Sequence, residues 1–122
     1  MKTILIAEDN PTNRELLREL LEIRGYSVTE ASNGEEALAM VERTSPDMML
    51  LDIGMPGLDG FAVVRSLREN PRFSSLPIVA VTAYAMQGDR DKIMNSGFDG
   101  YLSKPVSSQL LTQEIERLKS RR

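Results

Sequence analysis

Four of the chain's short apolar runs end in a side chain suited to polar chemistry. Glu8-Asp9 follows Ile4-Leu5-Ile6-Ala7, Asp52 follows Met48-Met49-Leu50-Leu51, Thr82 follows Ile78-Val79-Ala80-Val81, and Ser103-Lys104 follows Tyr101-Leu102. Glu8, Asp9 and Asp52 bring three negative charges and Lys104 one positive, so a cleft gathering all four carries −2. Crowded carboxylates repel, and some stay protonated unless a cation joins them. A divalent ion closes that balance. All-oxygen ligands point to Mg2+, with Mn2+ as the alternative, rather than zinc. Mg2+ keeps waters and a phosphate oxygen beside a few protein ligands. An acidic pair, a further Asp, a hydroxyl and a lysine therefore suit phosphoryl chemistry. Singly, each residue has a plainer explanation: Glu8-Asp9-Asn10 as a helix cap, Thr82 as a strand-end hydroxyl, Lys104 as a solvated charge. The plainer reading must still account for so much acid at one edge without a counterion.

Composition removes the competing chemistries. The 122 residues include no Cys and no His, which excludes disulfides, thiol catalysis, a Ser-His-Asp triad and most zinc sites. Net charge is −3, which disfavours broad binding to nucleic acid or to an anionic membrane. Acidic residues at positions 8 and 9 come too early for a signal peptide or membrane span, so a cytoplasmic protein is expected. The length fits one domain, taken as residues 1–122.

Five apolar runs alternate with five amphipathic segments, and these must position the polar ends. The runs are Thr3–Ala7, Tyr26–Ala31, Met48–Leu51, Ile78–Val81 and Phe98–Leu102. Three are continuously apolar, as in strands covered on both faces; Tyr26–Ala31 is mixed, as at a sheet edge. Asn10-Pro11 starts a helix with the stripe Leu16, Leu17, Leu20 and Leu21, stopped at Gly25. Ser32-Asn33-Gly34-Glu35 has capping-box spacing for a second. Leu58–Glu69, Met86–Asn95 and Ser107–Ser120 are the remaining three. Arg14, Glu15, Arg18, Glu19 and Glu22 read as a solvated face, with Arg18 and Glu22 spaced for a weak pair. Met48, Met49 and Met55 read as core. Strict alternation with short connections predicts an α/β fold: a flavodoxin-like (βα)5 three-layer sandwich around a five-stranded parallel sheet of order 2-1-3-4-5. All strands of a parallel sheet end at one edge, so residues 8, 9, 52, 82 and 104 become neighbours there.

With these motifs the chain resembles the receiver domain of two-component response regulators, the CheY-like superfamily. The likeness rests on Glu8-Asp9, on Asp52-Ile53-Gly54-Met55-Pro56-Gly57-Leu58-Asp59-Gly60, on Thr82-Ala83 and on Lys104-Pro105, in that order at those strand ends. Val81-Thr82-Ala83-Tyr84-Ala85-Met86 and Tyr101-Leu102-Ser103-Lys104-Pro105 look like single-domain regulators of the DivK kind and like receivers of hybrid histidine kinases.

The resemblance implies Asp52 as phosphoacceptor in a phosphorelay. It implies Mg2+ held by Asp9, Asp52 and the Gly54 carbonyl, with Glu8 acting through water. Thr82 and Lys104 would contact the phosphoryl group, Tyr101 would switch rotamer with Thr82, and the bond before Pro105 would be cis. The donor would be a histidine kinase or histidine phosphotransfer protein, meeting the start of the first helix and the Pro105-Val106 loop. A downstream protein effector would read the surface of the fourth helix, fifth strand and fifth helix, where Tyr84 and Tyr101 could change exposure. The chain would not be an enzyme beyond self-catalysed phosphotransfer and slow autodephosphorylation. Two alternatives stay open: a receiver segment of a hybrid histidine kinase, and a small phosphatase-like hydrolase. Against the hydrolase, Gly54 stands where a haloacid-dehalogenase-type enzyme has its second Asp, and glycine cannot move a proton. Met1 and an ending after the fifth helix suggest a stand-alone protein, with Arg121-Arg122 as a solvated tail.

Overall fold

A computed structural model of the chain describes residues 3–83 and 87–120. Tyr84, Met86 and the Arg121-Arg122 tail lie outside the described residues. Five strands, β1 (Thr3–Ala7), β2 (Ser27–Ala31), β3 (Met48–Asp52), β4 (Ile78–Thr82) and β5 (Gly100–Ser103), alternate with five helices. These are α1 (Pro11–Glu22), α2 (Gly34–Thr44), α3 (Gly60–Glu69), α4 (Gln87–Asn95) and α5 (Ser108–Ser120). All strand pairs are parallel and the order is β2-β1-β3-β4-β5. The flavodoxin-like sandwich expected from the alternation is the fold that forms.

The core divides by strand parity. Ile4, Ile6, Met48, Leu50, Val79, Val81 and Leu102 face a layer filled by Leu17 and Leu21 of α1 and Leu111, Ile115 and Leu118 of α5. Leu5, Ala7, Met49, Leu51, Ile78 and Ala80 face the other layer, with Val41 of α2, Val63, Val64 and Leu67 of α3 and Ile93 of α4. Burial on both faces explains why β1, β3 and β4 are apolar without alternation. Each large aliphatic side chain contributes about 1.5–3 kcal/mol on leaving water. Met48, Met49 and Met55 are buried core residues.

Several boundaries differ from the sequence reading. β3 and β4 each run one residue further, because pairing sets a strand's length: Asp52 pairs with Val81 and Thr82 with Ser103. Tyr26 lies outside β2, its N–H donating to the Leu21 carbonyl at 3.3 Å. β5 starts at Gly100; Phe98 is instead a core residue in edge-to-face contact with Phe61, with ring centroids 6.0 Å apart. α3 starts at Gly60 because Asp59 caps it, accepting from Ala62 N at 3.0 Å. The α2 box is shifted by one residue: Asn33 caps Glu36 N at 2.8 Å, and Glu36 accepts from Ser32 N at 3.0 Å. Of the α1 leucines, Leu17 and Leu21 are buried, while Leu16 is 43% exposed.

Candidate functional site

Glu8, Asp9, Asp52, Thr82 and Lys104 are each delivered to one edge by a strand end or the turn after it. Three backbone bonds align that edge: Glu8 N to Ala31 O at 3.0 Å, Ile53 N to Val81 O at 3.2 Å, and Lys104 N to Thr82 O at 2.8 Å. The cleft they frame is a cavity of about 430 Å³ whose lining includes Glu8, Asp9, Asp52, Gly54, Thr82 and Lys104. Asp9 is exposed, whereas Glu8, Asp52 and Thr82 are buried. Gly54 N donates to Asp52 Oδ1 at 3.0 Å, and Asn10 N donates to Glu8 Oε2 at 3.1 Å. Lys104 Nζ lies 2.9 Å from Glu8 Oε1 and 3.3 Å from Asp52 Oδ2.

The buried carboxyls differ sharply in proton affinity. Burial, reinforced by a hydrogen bond with Asp52, pushes Glu8 up to about 7. Burial acts on Asp52 in the same sense, yet the bonds from Glu8, Gly54 N–H and Lys104 outweigh it and hold Asp52 below its ordinary value. For Lys104, burial disfavours the ammonium, but the adjoining Glu8 and Asp52 more than compensate and raise its pKa. One ammonium against three carboxyls leaves the cleft short of positive charge, in keeping with the raised proton affinity of Glu8.

The donor set fits a small hard cation. One oxygen from each of Glu8, Asp9 and Asp52 can be chosen so that all lie within 4.8 Å of one another. Ligands around an octahedral ion at 2.0–2.1 Å are roughly 3–4 Å apart, so small side-chain adjustments suffice. Buried Glu8 Oε1, apart from the close approach of Lys104, has no donor in hydrogen-bond geometry.

Two residues sit apart from this cluster. Tyr101 is opposite Ala80 in the ladder, half-buried, and lines a separate hollow of about 240 Å³ with Arg90, Met94, Gly100, Glu114 and Arg117. The Arg90 guanidinium carbon lies 5.4 Å from its ring centroid. Pro105 is exposed and the Lys104-Pro105 bond is cis.

Arg14 corrects the solvated-face reading of α1. Its side chain is only 21% exposed, and Nη1 donates to the Glu8 carbonyl at 2.8 Å. The visible signal was Glu30, an acid placed within a strand; Arg14 Nε is 3.5 Å from it. Arg18 pairs with Glu30 as well as with Glu22.

The response regulator receiver domain family model matches residues 4–116, and the chain belongs to that family. The polar-differentiation response regulator DivK of Brucella anthropi is 39% identical over 119 residues, covering 98% of this chain and 94% of DivK. A chemotaxis response regulator of Vibrio cholerae superposes with a TM-score of 0.90 at 27% identity, covering 97% of this chain and 98% of its own. The receiver domain of a sensor histidine kinase from Pseudomonas aeruginosa, solved with a magnesium ion coordinated in its active-site cleft, superposes with a TM-score of 0.88 at 36% identity, covering 96% of each chain. Receiver domains are signalling proteins that interact with histidine kinases, not classical enzymes. Among the described residues no helix is long and apolar enough to cross a membrane.

Proposed function

We propose that residues 1–122 act as one receiver domain that takes a phosphoryl group from a partner's histidine onto Asp52 and thereby switches partner binding. The observation that carries this reading is the Lys104 ammonium lying between Glu8 and Asp52, beside a third carboxyl and Thr82, in one open cleft. Glu8, Asp9 and Asp52, with the Gly54 carbonyl, would hold Mg2+ or Mn2+; Glu8 would act through water. Bound there, the ion supplies positive charge to the oxygens of the transferring phosphoryl group.

Asp52 attacks already ionised, so no general base is needed and a chain without histidine can still perform the step. An O–P bond forms to Asp52 as the P–N bond to the donor imidazole breaks, the nitrogen keeping the electron pair. Lys104 and Thr82 contact the transferred oxygens. The donor, a histidine kinase or histidine phosphotransfer protein, would approach α1 near Asn13 and Leu16 and the Pro105-Val106 loop, which share a small depression with Glu8 and Lys104. Tyr101 would turn as Thr82 engages phosphate, altering the α4-β5-α5 face read by a protein effector. A second reading, a receiver segment of a hybrid histidine kinase, is favoured by the histidine-kinase receiver among the structural relatives.

With Mg2+ and a small phosphodonor such as phosphoramidate, the wild type should gain one phosphoryl group by intact mass, and Asp52→Asn none. Equal labelling of the two proteins would overturn the proposal.

A further inference from the structure

A single peptide plane joins Glu8 to Asp9, so its orientation helps to set the directions in which both side chains leave the backbone. Its oxygen is the Glu8 carbonyl, and the group that grips it is the Arg14 guanidinium at 2.8 Å, from one turn into α1. The other end of Glu8 is tied too, its N–H donating to Ala31 O of β2 at 3.0 Å. Arg14 is itself held by Glu30, which stands opposite Ile6 in the β1–β2 ladder. A chain of contacts thus runs from the edge strand through Arg14 to the turn bearing two of the three carboxylates.

We infer that Arg14 is a positioning residue, fixing the Glu8-Asp9 peptide so that both side chains face the metal before it arrives. This rests on the reading of the cleft as a Mg2+ site. Charge alone works the other way: a cation near the cleft repels Mg2+, so deleting it should tighten binding. Geometry and charge therefore give opposite signs, and the sign decides.

Calorimetric titration with Mg2+ and labelling by phosphoramidate test it, since a small donor avoids any effect on docking at α1. Arg14→Ala weakens Mg2+ binding about tenfold, the scale on which outer-shell partners of metal ligands act. Arg14→Lys falls between, because an ammonium lacks the planar fork that reaches both the carbonyl and Glu30. Saturating Mg2+ returns the Arg14→Ala labelling rate to near the wild-type value, which general misfolding would not allow. Unchanged or tighter binding by Arg14→Ala, or a rate that stays low at saturating Mg2+, overturns the inference. If Arg14→Ala does not fold, Arg14→Lys and Glu30→Gln decide by the same titration, with weaker binding expected and unchanged binding contrary. Wild type that binds Mg2+ no better than these variants defeats only the role of Arg14, whereas wild type that binds none defeats the proposed function with it.

Discussion

Glu8 and Asp52 are both buried carboxyls within reach of one ammonium, yet the first holds its proton to about pH 7 and the second stays ionised. The asymmetry comes from the hydrogen bond the two share, which raises Glu8 and lowers Asp52; each also accepts one backbone N–H, from Asn10 and from Gly54. Asp52 is thus kept ionised, as the proposed phosphoryl acceptor must be, while the proton goes to Glu8. Beside Asp52, Gly54 leaves an open flank. A Cβ built there meets nothing closer than Asp52 Oδ1 at 3.8 Å, so a side chain fits without displacement. The wild-type acyl phosphate should be long-lived, because glycine at position 54 has no side chain to take a proton from water. Gly54→Asp adds a carboxylate able to act as general base and should shorten the lifetime by roughly tenfold or more. Acid-quench time courses of the labelled protein measure it; equal lifetimes, or a wild-type lifetime of seconds or less, would count against the idea.

At the level of elements, the β3–α3 turn is seated on the start of α2. A Cβ at Gly34 would lie 2.1 Å from the Leu58 carbonyl oxygen, so only glycine permits that approach. Gly34→Ala must push the turn away and should cost about 1–3 kcal/mol, the scale of overpacking, readable as a lowered denaturation midpoint. Because the same turn carries Gly54, Mg2+ binding should weaken as well; a variant as stable as wild type would show the contact to be dispensable. This contact was invisible in the sequence, since Gly34 and Leu58 meet only after β3 has crossed the sheet. The cleft was legible because parallel strands end at one edge, so Glu8, Asp52, Thr82 and Lys104 needed only five strand assignments. The boundaries were less so: apolarity stopped β3 at Leu51, while pairing carries it through Asp52. Arg14 was missed for a similar reason, because helical spacing shows which way a side chain leaves α1 but not that the Glu8 carbonyl, just past β1, awaits it.

Across the whole molecule, proton linkage ties the cleft to stability. Below pH 4.5 folded and unfolded Glu8 are both protonated, and its contribution is complete. As pH climbs from there through about 7 the unfolded chain releases the proton first, so that contribution is lost. Asp52 acts oppositely, but only as pH falls below 3.8, its unfolded value. Metal-free protein should therefore lose thermal stability on going from about pH 5 to about pH 8. Glu8→Gln should flatten that slope. Mg2+ needs the deprotonated cluster and stabilises by mass action, so the melting shift it produces should grow over the same interval. A shift independent of pH would argue against ion and proton competing for one site.

The division of each strand between two layers has a further consequence. In β4, Val79 and Val81 serve the α1/α5 side and Ala80 the α2–α4 side, one backbone supporting both. On the proposed function, α1, gripped by the donor, and α5, gripped by the effector, would lean on one side of the same few peptide bonds, and α4, also gripped by the effector, on the other. Reciprocity then applies: whatever factor the effector's presence imposes on the donor's equilibrium affinity, the donor returns to the effector. On that proposal the sheet would be less a wall between incoming and outgoing messages than a shared lever.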